Sequence, residues 1–336
     1  MSNKRIAELA HVSASTVSKV FSGNDKVSAD TAAHVLKTAE ENSLLPPRFR
    51  KNSLAKKTLR IAILVPEIVS VYYSKIVSAA VEILNSAGIY SEIHITGFDE
   101  KSCTHVQSVL QADGLTDGLL LVGIVRKEPS FTIPTVFLSE DELVQFPNTF
   151  QISIDEVGNM KQCLTHLTAL GHRRIGFIGE TNTECKLRSF RSAAEQLQLD
   201  IREDDIFISS HRFEMIGCDA ARYFLDRKNN DDGAIPSAFI CAYDEVAFGL
   251  ISSLTAAGIR VPQDVSVIGI NNIPTAQYGI VPLTTVDNFS DAQVSMCIHI
   301  LREKITHRDF EMPPKMMIEG KLIVRGSTSR APETQA

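Results

Sequence analysis

Along residues 1–45, apolar side chains recur at helical spacing in three short bursts: Ile6, Leu9 and Ala10; Val17, Val20 and Phe21; Val35, Leu36 and Ala39. That spacing predicts three helices. Only His11-Val12-Ser13 separates the first two, and Ser13 is placed to cap the second through its side-chain oxygen. Gly23-Asn24-Asp25 is expected to end that second helix, and Ser28 to cap the third. From residue 59 the pattern changes. Short β-branched runs, at 59–65, 91–95, 118–122, 135–138, 151–154, 174–178, 238–241 and 265–270, alternate with helical periods near 73–87, 103–112, 156–170, 187–198, 215–228, 244–257 and 291–306. Strand and helix in turn imply parallel sheets with helices on both faces. The strands number about twice what one such domain needs, which predicts two similar α/β lobes with a cleft between them.

Two short helices joined by a tight turn form a helix-turn-helix, whose second helix can enter the major groove of DNA. The outward face of that helix reads Ala14, Ser15, Ser18, Lys19 and Ser22. Small residues let it sit deep, and Lys19 can reach guanine acceptors. The hydroxyls of Thr16, Ser18 and Ser28 suit phosphate oxygens. The same pattern also fits a three-helix interaction module. Beyond it, Pro46-Pro47 opens a segment with five cations between 47 and 57: Arg48, Arg50, Lys51, Lys56 and Lys57. Alone it is too short and too charged for a stable helix. On DNA it can order, with cations on phosphates and an apolar side chain wedged into a minor-groove step; otherwise it is a solvated linker.

Charge sharpens the picture. The 336 residues hold 34 basic and 40 acidic side chains, with 44% hydrophobic and 22% charged residues, which is ordinary for a globular chain and excludes global disorder. The length predicts two or three domains. Residues 1–60 carry eleven basic against five acidic residues, while the remainder carries 23 against 35. A basic head on an acidic body leaves only the head suited to a polyanion.

Other chemistries find no signature. The six cysteines are scattered without metal-ligand spacing, so neither a disulfide framework nor a zinc site is expected. No phosphate-binding, dinucleotide, zinc-hydrolase or nucleophile-elbow motif occurs, so no catalytic residue, metal or cofactor is assigned. His166 and His172 flank one helix end and read as a packing or capping pair. The start lacks an apolar signal core and no apolar run approaches membrane-spanning length, which predicts a cytoplasmic protein with no membrane partner.

These residues resemble a known family. The run Ile6-Ala7-Glu8-Leu9-Ala10-His11-Val12-Ser13-Ala14-Ser15-Thr16-Val17-Ser18-Lys19-Val20-Phe21-Ser22-Gly23 is similar to the head motif A-x-x-A-x-V-S-x-x-T-V-S-R-V-L-N-G of the lactose-repressor (LacI/GalR) family of bacterial transcription regulators. Leu170-Gly171-His172-Arg173-Arg174-Ile175-Gly176, Val261-Pro262-Gln263-Asp264-Val265, Pro282-Leu283-Thr284-Thr285 and Val324-Arg325-Gly326-Ser327-Thr328 follow in family order. The resemblance implies a helix-turn-helix domain at 1–45, a hinge at 46–58 and a two-lobed, periplasmic-binding-protein-like domain at 59–330 for effector binding and dimerisation. The N-lobe is expected at 59–157 and 289–319, and the C-lobe at 158–288 and 320–330. It further implies a homodimer on double-stranded operator DNA whose affinity, most often as a repressor, is set by a sugar or sugar phosphate in the cleft.

Carried over residue by residue, the resemblance implies DNA contacts at Ser13, Ala14, Ser15, Thr16, Ser18, Lys19 and Ser28, with Arg48 and Leu54 in the hinge. Lys19 stands where the family usually has Arg, and Leu54 falls one residue after the family's wedge leucine. Either the hinge helix starts one residue later or the wedge is not used. For the cleft it implies Ser70, Tyr72, Tyr73, Lys186, Arg212, Phe213, Tyr243, Asp244, Asn271 and Asn288. Lys186 and Arg212 add two cations, with Asp244 as the nearby acid. Local carboxylates neutralise them, or an anionic group on the ligand does. Two rival readings remain: an α/β enzyme or transport-type binding protein carrying an unused head, and a regulator that answers only to a protein partner.

Overall fold

The computed structural model describes residues 2–22, 27–42, 44, 58–123, 132–139, 149–229, 235–307 and 309–333. The Gly23-Asn24-Asp25 stop and the hinge residues Arg48 and Leu54 lie outside them. The chain divides into two compact units, residues 1–59 and 60–336.

The first unit has three helices: α1 (Ser2–Leu9), α2 (Ala14–Ser22) and α3 (Ala29–Glu41). Ile6, Ala7, Ala10, Val17, Val20, Phe21, Val35 and Ala39 form its core; of the residues read at helical spacing Leu9 is exposed and Leu36 half-buried, and Ala7 joins the rest inside. The turn closes through a 3.0 Å bond from the Val12 amide to the Ala7 carbonyl. Ser13 Oγ then accepts the Thr16 amide at 3.0 Å and Ser28 Oγ accepts the Thr31 amide at 3.3 Å, each satisfying an amide that the first helical turn leaves unpaired.

The second unit contains two six-stranded sheets. One takes β1 (Arg60–Val65), β2 (Tyr90–Ile95), β3 (Gly118–Val122), β4 (Thr135–Ser139), β5 (Thr149–Ile154) and β11 (Lys315–Ile318) in the order β2-β1-β3-β4-β5-β11, all parallel. The other takes β6 (Ile175–Glu180), β7 (Ile206–Ser209), β8 (Ala238–Cys241), β9 (Ser266–Ile270), β10 (Thr284–Asp287) and β12 (Lys321–Ile323) in the order β7-β6-β8-β9-β10-β12, with only β12 antiparallel. Helices α4 (Val71–Ser86), α5 (Glu100–Asp113) and α10 (Ser290–Thr306) accompany the first sheet. Helices α6 (Glu156–Ala169), α7 (Glu184–Gln196), α8 (Glu214–Asn229) and α9 (Asp244–Ala256) accompany the second. Interior strands such as β3 and β8 are buried at every residue, because a parallel sheet is covered on both faces.

Four strands escape the sequence pattern. β7, β11 and β12 are edge strands that stay partly exposed, so they lack the continuous apolar run of the interior. β10 reads Thr-Thr-Val-Asp, a buried strand whose hydroxyls are satisfied by partners. Packing of α8 on α9 depends on two glycines. A Cβ at Gly249 would stand 1.9 Å from the Glu214 carbonyl oxygen, and one at Gly217 2.1 Å from that of Val246.

The chain passes between the sheets at Asp155, at Asn288–Phe289 and at Glu319–Gly320. Fully buried Asn159 ties the three passages together. Its Nδ2 donates to Asn288 Oδ1 at 2.9 Å, its Oδ1 accepts the Gly320 amide at 2.8 Å, and its amide donates to the Asp155 carbonyl at 2.9 Å.

Candidate functional site

In the head, α2 keeps Val17, Val20 and Phe21 inside and leaves Ser13, Ala14, Ser15, Ser18, Lys19 and Ser22 exposed. Thr16 is half-buried and its hydroxyl lies 2.8 Å from Ser13 Oγ, while the Ser28 hydroxyl lies 2.7 Å from that of Thr31. Both are therefore engaged in capping.

In the body, the residues that follow strand ends converge. Ser70, Tyr72, Tyr73 and Phe98 come after β1 and β2. Glu180, Asn182, Thr183, Lys186, Arg212, Phe213, Tyr243 and Asn271 come from the ends of β6, β7, β8 and β9. Together they line a cleft whose cavity is about 40 Å³ in this structure. This is the position expected of a ligand site in parallel α/β sheets, outside the carboxyl ends of the strands.

Its walls are aromatic and its charges are paired. Tyr72 and Tyr73 are buried, edge to face at 5.2 Å, and Phe98 follows at 6.3 Å from Tyr73. Ser70 caps α4 by accepting the Tyr73 amide at 3.4 Å. Lys186, 2% exposed, donates to the Ala242 carbonyl at 3.2 Å with Glu156 Oε1 3.9 Å away. The Arg212 guanidinium donates to Glu67 from one lobe and, at 3.2 Å, to both oxygens of Glu180 from the other. Burial opposes its charge, but the Glu67 bond and the two carboxylates outweigh this and hold its pKa above the ordinary value. Tyr243 donates to Glu180 Oε1 at 2.9 Å and accepts the Phe213 amide at 3.0 Å. Burial, with Glu180 alongside, pushes its phenol far up, so it acts as a donor.

Two expected site residues stand elsewhere. Asp244 is fully buried, accepting the Ile273 amide at 2.8 Å and the Thr285 hydroxyl at 2.5 Å. A short acid opening α9 beneath β9 and β10 braces the loop after β9 instead of facing the cleft. Asn288 is 1% exposed and absent from the lining. Its Oδ1 accepts from Asn159 and its Nδ2 donates to Asn271 Oδ1 at 3.3 Å, so its amide is used in the passage between lobes. Local carboxylates, Glu67, Glu180 and Glu156, face the two cations, which answers the question that charge left open. Glu67, Phe98, Glu180, Asn182 and Thr183 went unnoticed in the sequence; their position just past predicted strand ends was the available signal.

His166 and His172 serve packing. His166 Nε2 lies 3.0 Å from Thr328 Oγ1, and buried His172 bridges Ser237 and Ser266 at 2.9 and 3.0 Å. Desolvation lowers the pKa of both. Among the described residues no group of His, Cys, Asp and Glu is arranged to hold a metal, and no helix is long and apolar enough to cross a membrane. The six cysteines are free thiols.

Residues 4–46 match the family of bacterial regulatory proteins, lacI family, and residues 164–328 match a periplasmic binding protein-like domain. The chain is similar to the HTH-type transcriptional repressor PurR of Haemophilus influenzae (strain ATCC 51907), 28% identical across 96% of this chain and 97% of that one. Among solved structures it is similar to the transcriptional regulator CelR–cellobiose complex, 25% identical, covering 97% of this chain and 99% of that one with a TM-score of 0.69. The lac repressor dimer bound to operator and an anti-inducer has the same fold, at 21% identity, 96% and 98% coverage and a TM-score of 0.72.

Proposed function

The chain belongs to the lacI family of bacterial regulatory proteins, and on that premise we propose that it is a cytoplasmic, non-enzymatic repressor whose grip on operator DNA is set by a carbohydrate in the interlobe cleft. The observation that carries the ligand reading is the cleft itself. Tyr72, Tyr73, Phe213 and Tyr243 offer ring faces for sugar C–H surfaces, and Asn182 and Asn271 offer amides for hydroxyls. The CelR structure holds cellobiose, a sugar, which supports the same class. Because Arg212 and Lys186 already face carboxylates, the ligand has no need of an anionic group, which favours sugars over sugar phosphates.

On the DNA side, Lys19, Ser15, Ser18 and Ala14 read base edges in the major groove, while Ser13, Thr16 and Ser28 lie near phosphates. In the hinge, Arg48 meets the DNA backbone and Leu54 is the apolar wedge, and two copies pair to span a palindrome. A pool of random duplexes selected on the purified protein yields the operator. Band-shift titration with cellobiose, glucose, glucosamine and glucose 6-phosphate then tests control. Operator affinity that responds to a non-phosphorylated sugar supports the reading, and affinity indifferent to every sugar refutes it.

A further inference from the structure

The guanidinium of Arg212 occupies a box drawn from both lobes. Glu67, two residues past β1, and Glu180, the last residue of β6, supply carboxylates. Phe98 and Phe213 supply ring faces 4.8 and 4.7 Å from its central carbon. Two carboxylates and two aromatic faces are the surroundings that favour an organic cation. One wall of the box is fixed more firmly than its occupant. Glu180 is 4% exposed and held additionally by Tyr243, whereas Arg212 is 28% exposed on a long side chain rising from the loop between β7 and α8. Glu67 Oε1 is buried and accepts from no described residue, so the box has an acceptor to spare.

We propose that Glu67, Glu180, Phe98 and Phe213 form a receptor for a positively charged nitrogen, filled in this state by Arg212, and that the effector is an amine-bearing carbohydrate whose ammonium takes the place of the guanidinium. The carbohydrate part rests on the function proposed above; the receptor does not. A neutral sugar that pushed Arg212 aside would leave Glu180 buried without a cation, and an anionic one would stand against two carboxylates. An ammonium group satisfies both. It competes with Arg212, so removing the arginine strengthens binding of small cations.

The test is calorimetry and thermal shift on the full chain. Arg212→Ala is expected to bind methylguanidinium saturably in the millimolar range, and wild type at least about tenfold more weakly, because its own side chain competes. Adding Glu67→Gln to the Arg212→Ala protein is expected to abolish that binding. In wild type, at mildly acidic pH where its amine is charged, glucosamine raises the melting temperature while glucose and N-acetylglucosamine do not. A folded Arg212→Ala protein that ignores methylguanidinium, or one whose binding survives Glu67→Gln, overturns the receptor. Should Arg212→Ala not fold, Arg212→Gln takes its place, and the wild-type sugar arm decides if neither does. Glucose acting as strongly as glucosamine would sink the receptor and leave the carbohydrate reading standing. Methylguanidinium binding with no response to any sugar would do the reverse.

Discussion

Arg212 donates to Glu67 across the cleft, so a residue from the loop after β7 in one lobe holds the end of β1 in the other. The same guanidinium neutralises Glu180, whose carboxylate also accepts from the Tyr243 hydroxyl and, capping the turn at Thr181–Thr183, from the Thr183 amide. Arg212→Met is therefore expected to cost about 1–3 kcal/mol, below the range for a fully buried pair because the arginine is 28% exposed. Glu180→Gln added to it removes the stranded charge and should recover most of the loss. Urea midpoints of the two single variants and the double variant measure this, and a double variant weaker than Arg212→Met would show that Glu180 is not the stranded group.

Asp244 gives a pH dependence. Burial, partly offset by the Thr285 and Ile273 bonds, pushes its carboxyl up to about 7. An acid whose folded pKa lies above its unfolded value binds more protons when folded, so stability is highest below the unfolded pKa and falls as pH rises from about 4 toward 7. Asp244→Asn keeps an acceptor for the Ile273 amide and a polar group for Thr285 without the charge. Its melting temperature relative to wild type is expected to climb between those pH values and then level off. Glu245, also raised by burial, is common to both proteins and cancels to first order in the difference. A difference that stays flat across the window would mean that Asp244 titrates in the usual carboxylate range.

Asn159 joins all three passages between the sheets, and its buried amide satisfies Asn288 and Gly320 at once. Asn159→Ala strands both partners, at about 2–4 kcal/mol for two buried groups. Amide exchange should quicken at Gly320 and around Asn288 before it quickens in β8 at the sheet centre. Uniform acceleration would indicate a global loss of stability instead of a loosened passage.

The alternation of runs was enough to read the helices and the interior strands, because a covered parallel sheet forces continuous apolar segments such as Leu119–Val122 and Ala238–Cys241. Half-exposed edges such as Lys321–Ile323 carry no such signature. In the cleft, Tyr72, Tyr73, Lys186, Phe213 and Tyr243 could be placed by their motif positions. Glu67 lies just past a strand end but in none of the motifs, and what makes it part of the site is an arginine 145 residues away. Asp244 and Asn288 misled for the converse reason. Polar residues at strand ends look like ligand contacts, and only the structure shows that a buried amide and hydroxyl consume one and a neighbouring asparagine the other.

Lys19 carries the sharpest prediction for the head. It is exposed on the outward face of α2 with Ser15, Ser18 and Ser22 for neighbours, and the Ser22 hydroxyl donates to its carbonyl at 3.0 Å, which reinforces the last turn of the helix beneath it. A lone long cation among small residues is the side chain able to reach base acceptors at the groove floor. An ammonium offers a single-point contact where a guanidinium would bind a guanine through two bonds. Lys19→Ala is expected to weaken operator binding by about 1–3 kcal/mol while random DNA loses much less, because a base contact discriminates and a phosphate contact does not. Lys19→Arg should hold or tighten operator binding. Fluorescence anisotropy on selected operator and random duplexes at matched salt reads both. Equal losses on the two duplexes would reduce Lys19 to a phosphate contact and move base reading to the serines beside it.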